Sequence, residues 1–224
     1  MITHYDKSYD KFLFAQRTRL LTEYKLNEHS TEQDIIDSLE IMAKKDFSMI
    51  ERFLPEQCSE VLDIGCGLGL VDLYTQHHYN TDINFTLVDA NDTIVDTHRI
   101  KGFNKNYVFY NSMSYVQQFL VNNGIKKDNL ELVNITTQKF VTEKKYDVIL
   151  SFLACGWHFP IETYMDIFEN NLSDNGVLIL DIRNGTGQDL LLLPKFECVY
   201  LPNTNEMTHM GGVIGNRCIF KKRI

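Results

Sequence analysis

Apolar positions along this chain recur at two spacings, and the change between them falls near residue 60. In 35–54 the residues Ile35, Ile36, Leu39, Met42, Phe47, Ile50, Phe53 and Leu54 return every three or four positions. That spacing predicts an amphipathic helix. Ser30, with Gln33 three residues on, is a candidate capping box, and Pro55 ends the run. Phe12, Leu13, Leu20, Leu21 and Tyr24 predict an earlier helix. Residues 1–57 therefore read as an N-terminal helical extension or cap, and 58–224 as the main domain.

Beyond that point short β-rich runs alternate with helical ones. Strands are expected at 60–64, 84–88, 130–135, 146–152 and 176–181, and helices at 68–78, 93–101, 114–123 and 162–171. After Asp181 a short helix at 188–193 leads to two closing strands, 197–201 and 217–222. Such alternation predicts a doubly wound α/β fold: a mostly parallel seven-stranded sheet with helices on both faces and right-handed crossovers. An antiparallel strand is expected near the C-terminus. The run YDVILSFLA is apolar enough to be buried on both faces. The insert PNTNEMTHMGGVIGN is too long for a tight hairpin, so its 204–216 portion could fold over a ligand.

Composition narrows the class. No apolar run reaches the roughly 18 residues of a membrane span, and the N-terminal stretch lacks the apolar core of an export signal. Five cysteines without a CxxC pair favour a reduced, cytoplasmic setting without structural zinc. A net charge of −8 argues against a broad nucleic-acid surface. The one basic cluster, Lys221-Lys222-Arg223, reads as a solvated strand end. No carboxylate cluster has metal-ligand spacing, so no metal is expected.

The first strand of the main domain runs into DIGCGLG. Gly65, Gly67 and Gly69 permit a tight turn and let a ligand approach the backbone, with the next helix offering its free N–H groups. Alone, such a loop has several uses. The dinucleotide fingerprint needs glycine at the sixth position, where this chain has Leu70. Asp63 stands two places before the first glycine, where it could accept from a cationic amino group. Asp89 ends the second strand about 20 residues further on, the place of a ribose-binding carboxylate. Each aspartate taken singly could be a turn residue or a cap.

With these residues the chain resembles the class I, Rossmann-like S-adenosylmethionine-dependent methyltransferases. VLDIGCGLGL (61–70) is similar to their first motif and FTLVDAND to the acidic end of their second strand. YDVILSFLACG and NNLSDNGVLILDIR resemble their fourth strand and the helix, turn and fifth strand that follow. The resemblance covers about 58–183 and implies S-adenosylmethionine as cofactor. It implies that Asp63, Gly65, Cys66 and Gly67 line the methionine portion, that Asp89 holds the ribose and that Ala90 lies beside the adenosine. Asn134 and Ile135 would border the adenine, and Ser151 and Phe152 would floor the site near the sulfonium. The third strand ends in NIT, where the family often has an acidic residue.

Methyl transfer is an in-line displacement, so alignment is the main task, and an oxygen acceptor also needs its proton removed. ACGWHFP, after the fourth strand, offers His158 as general base and Trp157 and Phe159 as acceptor walls. A backbone-bonded histidine in a packed aromatic turn is the alternative. Asp181, ending the fifth strand, could polarise the acceptor or only cap a turn. His209 could reach the site from the late insert or lie on the surface. Tyr110 and Asn111 could face the pocket, as could Tyr5 and Tyr9 from the N-terminal cover.

WHFP also resembles sugar O-methyltransferases, which favours a hydroxyl acceptor. The leading reading is methyl transfer to an oxygen or nitrogen of a small molecule. An RNA or protein acceptor, a cofactor-binding subunit without turnover, and a nicotinamide-dependent oxidoreductase stay open. The last is disfavoured by Leu70. The fourth strand lacks the [DNS]PP[YF] signature of base-flipping amino methyltransferases. Cys155 is not preceded by proline, so it reads as a small buried thiol.

Overall fold

Strand–helix alternation builds one sheet. Its strands are β1 (Glu60–Ile64), β2 (Asn84–Asp89), β3 (Leu130–Asn134), β4 (Tyr146–Ser151), β5 (Leu172–Arg183), β6 (Phe196–Tyr200), β7 (Met207–His209) and β8 (Val213–Lys222). The order is β3-β2-β1-β4-β5-β8-β6, with β7 also paired to β8. β1 to β5 run parallel, and β8 is antiparallel to β5, β6 and β7. This computed structural model describes residues 1–16, 24–27, 29–91, 111–202, 207–209 and 213–223. The expected helix at 93–101 and Tyr110 lie outside the described residues.

The helices are α1 (Asp10–Gln16), α2 (Glu32–Ser48), α3 (Leu70–His78), α4 (Met113–Asn122), α5 (Met165–Asn171) and α6 (Gln188–Leu192). Strand alternation divides the core into two clusters, because neighbouring residues point to opposite faces. Val61, Val148, Ile179 and Ile219 pack on one face with Phe12, Leu39 and Phe47 of the N-terminal helices and with Leu73 and Leu120. Leu62, Ile149, Leu178 and Phe220 pack on the other with Phe168 of α5. The described residues before β1, among them Phe12, Leu39 and Phe47, therefore cover one face of the sheet within one apolar cluster.

Several boundaries differ from expectation. Thr31, not Ser30, caps α2: its hydroxyl accepts from the Asp34 N–H while the Asp34 carboxylate accepts from the Thr31 N–H. The capping box is present one residue later, with the shorter Asp in place of Gln33. The helix stops at Ser48 instead of reaching Leu54. The Ser48 hydroxyl donates to the Lys45 carbonyl, and the Ile50 and Phe53 N–H groups bond three residues back, which tightens the chain into a 3-10 turn.

β5 begins at Leu172, four residues before the expected Gly176, with a register shift that lets 173–176 bulge past β4. The late insert is partly strand: β7 pairs with the start of β8, so β8 begins at Val213 and not at Arg217. Arg217 is an interior position of that strand because buried carboxylates receive its charge.

Candidate active site

β1 lies between β2 and β4, so the sheet order reverses there and a crevice opens beyond the carboxyl ends of these strands. Three glycines with left-handed backbones fill that turn: Gly65 (φ 78°), Gly67 (φ 55°) and Gly69 (φ 69°). The Val88 carbonyl of β2 accepts from the Gly65 N–H at 2.7 Å, tying the loop to the neighbouring strand. A Cβ on Gly65 would lie 2.2 Å from the Ala154 Cβ, so the turn after β4 packs directly on this glycine. Gly69 is the N-cap of α3. Space and φ exclude side chains at both positions.

Carboxyls surround the loop. Asp89 is buried; its Oδ2 accepts from the Gly67 N–H at 2.8 Å and from Asn111 Nδ2 at 2.7 Å, and its Oδ1 accepts from the Ala90 N–H at 2.7 Å. Asn111, wholly buried just before α4, also donates to the Gly67 carbonyl at 2.9 Å and accepts from the Tyr9 hydroxyl at 2.9 Å. The N-terminal segment thus reaches the glycine loop through one asparagine. Tyr5 is buried too, but its hydroxyl donates to Asp10. Asp63, at the end of β1, and Asp72, in the first turn of α3, complete the acidic lining.

The Asp72 carboxyl is fully buried, and neither of its oxygens has a hydrogen-bond donor among the described residues. Burial pushes it up to about 6, against a smaller opposing pull from the Asp63 carboxyl. The Cys66 thiol is raised well above its ordinary value by burial, then by Asp89, Asp63 and Asp72. It is a neutral, packed side chain whose backbone lines the turn. Among the described residues the carboxyls form no group that could hold a metal ion.

On the side of β3, Asn134 Oδ1 accepts from the Asn91 N–H at 3.1 Å and from the Thr136 N–H at 3.0 Å, and the Asp89 carbonyl accepts from the Ile135 N–H at 3.0 Å. The turn after β3 is thereby held against the end of β2, with Ala90 buried between.

On the side of β4, the Ser151 hydroxyl donates to the Ile64 carbonyl at 2.7 Å and accepts from the Cys155 N–H at 2.8 Å. It fastens the β4 turn to the start of the glycine loop. The Ala154 carbonyl accepts from the N–H groups of Trp157, His158 and Phe159, which coils this turn tightly. His158 and Phe159 are partly exposed, whereas Trp157 is buried against Gly215 of β8, where a Cβ would lie 2.0 Å from its ring. Trp157 therefore packs against the sheet.

Asp181 has another partner. Arg217 donates to its two carboxylate oxygens at 2.8 and 3.0 Å, and the Leu153 N–H donates at 3.2 Å. Burial pushes the Asp181 carboxyl up, and the Arg217 charge pulls against it. The same guanidinium donates to Asp46 of α2 at 3.2 Å and lies 3.5 Å from the centre of the Phe152 ring. This pairing leaves Asp181 engaged in joining β5, β8 and α2, not turned to an acceptor. His209 sits in β7, apart in sequence from the turn after β4; its side chain lies outside the described residues.

Asp63, Gly65, Cys66, Gly67, Asp89 and Ala90 are thus brought together at the crevice, with Asn134 and Ile135 beside Asp89 and Ser151 beneath the loop. Asp72 and Arg217 were missed by sequence reasoning. One signal was present for Asp72: a charged residue among Leu70, Val71 and Leu73 on a helix face that must be buried.

No family model matches this chain, and no curated protein matches it. Solved structures do. The PH0226 protein of Pyrococcus horikoshii OT3 is similar over 98% of this chain and 100% of its own, with a TM-score of 0.55 and 12% identity. A methyltransferase from Pyrococcus furiosus is similar over 98% of this chain and 100% of its own, with a TM-score of 0.51 and 14% identity. A Listeria monocytogenes protein, assigned by name alone as an S-adenosylmethionine dependent methyltransferase, matches over 81% of this chain and 100% of its own (TM-score 0.51, 12% identity). The chain has the Rossmann-like methyltransferase fold. These neighbours carry no name that points to a sugar acceptor.

Proposed function

We propose that this chain is an S-adenosylmethionine-dependent methyltransferase acting on an oxygen or nitrogen of a small molecule. The observation that carries the reading is the glycine loop, set between Asp63 and Asp89 at the carboxyl ends of β1 and β2. Its cradle fits the cofactor on two counts. Side chains are excluded at Gly65 and Gly69, so a ligand can lie on the backbone. The polar lining is acidic, with a buried carboxyl lacking a donor at Asp72, which suits a ligand bearing an ammonium and a sulfonium.

When bound, the cofactor supplies an electrophilic methyl group. Asp63 and the loop backbone would bind its methionine portion, and Asp89 would accept from the ribose hydroxyls once Asn111 gives way. The β4 turn, fastened by Ser151 to Ile64, would set the floor on which the acceptor is aligned. His158, on that turn and partly exposed, is the candidate to take a proton from a hydroxyl acceptor. A small acceptor is supported by the net charge of −8, and a sugar-like hydroxyl is the first class to try.

Calorimetry with S-adenosylhomocysteine tests the cofactor, and transfer of labelled methyl to a panel of small alcohols and amines tests the acceptor. Absence of binding overturns the reading. Transfer confined to RNA or protein overturns the small-molecule part.

A further inference from the structure

Leu153 stands two residues beyond the end of β4 with a φ of 56°, and among the described non-glycine residues only Lys25 shares its left-handed backbone. A bulky side chain is strained in that region, and the conformation persists only where surrounding contacts impose it. Asp181 supplies such a contact from β5. Its Oδ2 accepts from the Leu153 N–H at 3.2 Å and from Arg217 Nη2 at 3.0 Å, while its Oδ1 accepts from Arg217 Nε at 2.8 Å. The guanidinium in turn lies 3.5 Å from the centre of the Phe152 ring. One buried ion pair therefore holds two consecutive residues, Phe152 by its ring and Leu153 by its N–H.

The consequence falls on the next residue. Beyond the left-handed Leu153, Ala154 packs on the glycine loop, its Cβ 2.2 Å from where a Gly65 Cβ would stand. The rest of the turn is pinned as well: the Ser151 hydroxyl accepts from the Cys155 N–H, and the Gly156 carbonyl accepts from the Arg183 N–H at 3.1 Å. Asp181 is the side chain that grips the strained residue itself. Glycine would adopt this φ without help. The chain instead carries leucine here, together with an ion pair whose burial costs desolvation.

We propose that Asp181, paired with Arg217, is a positioning residue for the cofactor: its hold on Leu153 seats Ala154 on Gly65 and so keeps the glycine loop in its binding form. This rests on the cofactor reading above. Asp181 acts through the backbone and need not touch the ligand. Where the hold is lost, Leu153 leaves the left-handed region in most molecules. Apparent affinity then falls in proportion to the fraction that stays seated.

Calorimetry of the full chain with S-adenosylhomocysteine, beside urea denaturation of each variant, tests this. Asp181→Leu combined with Arg217→Met replaces the pair by apolar side chains, a change that cores often accept with little loss of stability. That variant should bind about tenfold more weakly than the wild type. Adding Leu153→Gly, which reaches left-handed φ unaided, should return affinity to within about threefold of the wild type. A pair that only stabilises the fold would make affinity follow stability, with no rescue by glycine. In the wild-type background, Leu153→Val keeps the ion pair but strains the turn further, and should also bind about tenfold more weakly. Absence of rescue by glycine, or a Leu153→Val variant that binds as the wild type does, overturns the proposal. Should the paired variant not fold, Leu153→Val decides alone. Failure of the wild type itself to bind overturns the cofactor reading beneath it.

Discussion

Arg217 Nε and Nη2 donate to the two oxygens of Asp181 at 2.8 and 3.0 Å, deep in the sheet where Arg217 is 1% exposed and Asp181 0%. The fork spans two antiparallel strands, and its remaining nitrogen reaches Asp46 on the covering helix. One guanidinium thus joins β5, β8 and α2 at the carboxyl end of β5, next to the turn that follows β4.

Breaking one side of such a pair leaves the other charge buried. Arg217→Ala should lower unfolding free energy by about 3–5 kcal/mol in urea denaturation. Arg217→Lys should recover only part of this, since an ammonium cannot reproduce the planar fork. Equal stability of Lys and Arg at 217 would reduce the contact to charge alone.

Asp89 accepts hydrogen bonds from Gly67 and Asn111, and a ribose would compete for the same oxygen. Asp89→Ala should weaken S-adenosylhomocysteine binding about 10- to 100-fold, the equivalent of one to two hydrogen bonds to a charged group. The far-ultraviolet circular dichroism should stay as in the wild type. Unchanged affinity by calorimetry would remove Asp89 from the site.

Gly65→Ala brings a methyl to 2.2 Å from the Ala154 Cβ on a backbone with φ 78°. The turn after β4 must shift, so the melting temperature should fall and cofactor affinity with it. Ser151→Ala removes the hydroxyl that binds Ile64 and Cys155 and should act in the same direction. It leaves one buried N–H and one carbonyl unmet, costing about 1–3 kcal/mol.

The Asp72 carboxyl stands at about 6 when folded, against an ordinary value of 3.8. The folded chain therefore holds a proton that the unfolded chain has lost. Stability from this group is fully present below about pH 4 and is lost as pH rises through about 6. Asp72→Asn should be stabilised relative to wild type by about 3 kcal/mol at neutral pH, with a smaller difference at about pH 4. Urea titrations at the two pH values give the sign.

Much of the architecture was legible because it is written locally. The alternation of Val61, Leu62, Asp63 and Ile64, the glycines after them and Asp89 at the close of β2 each signal through neighbours only a few residues away. The contacts that make the site are of another kind. Asn111 meets Asp89 across 22 positions and Gly67 across 44, and Arg217 meets Asp46 across 171. No periodicity encodes such pairs, so Arg217 read as the edge of a strand and Asp181 as a candidate for chemistry. The capping box slipped by one residue for a simpler reason, since Ser30 and Thr31 carry the same chemistry side by side.

The seating of Trp157 on Gly215 has a practical consequence. It is the chain's single tryptophan, so the indole emission of the folded protein arises from one ring that is 4% exposed. That ring belongs to the turn that also rests on Gly65. The protein therefore carries its own optical reporter: a red shift on loosening of this turn records the state of the glycine loop's neighbour without any added label.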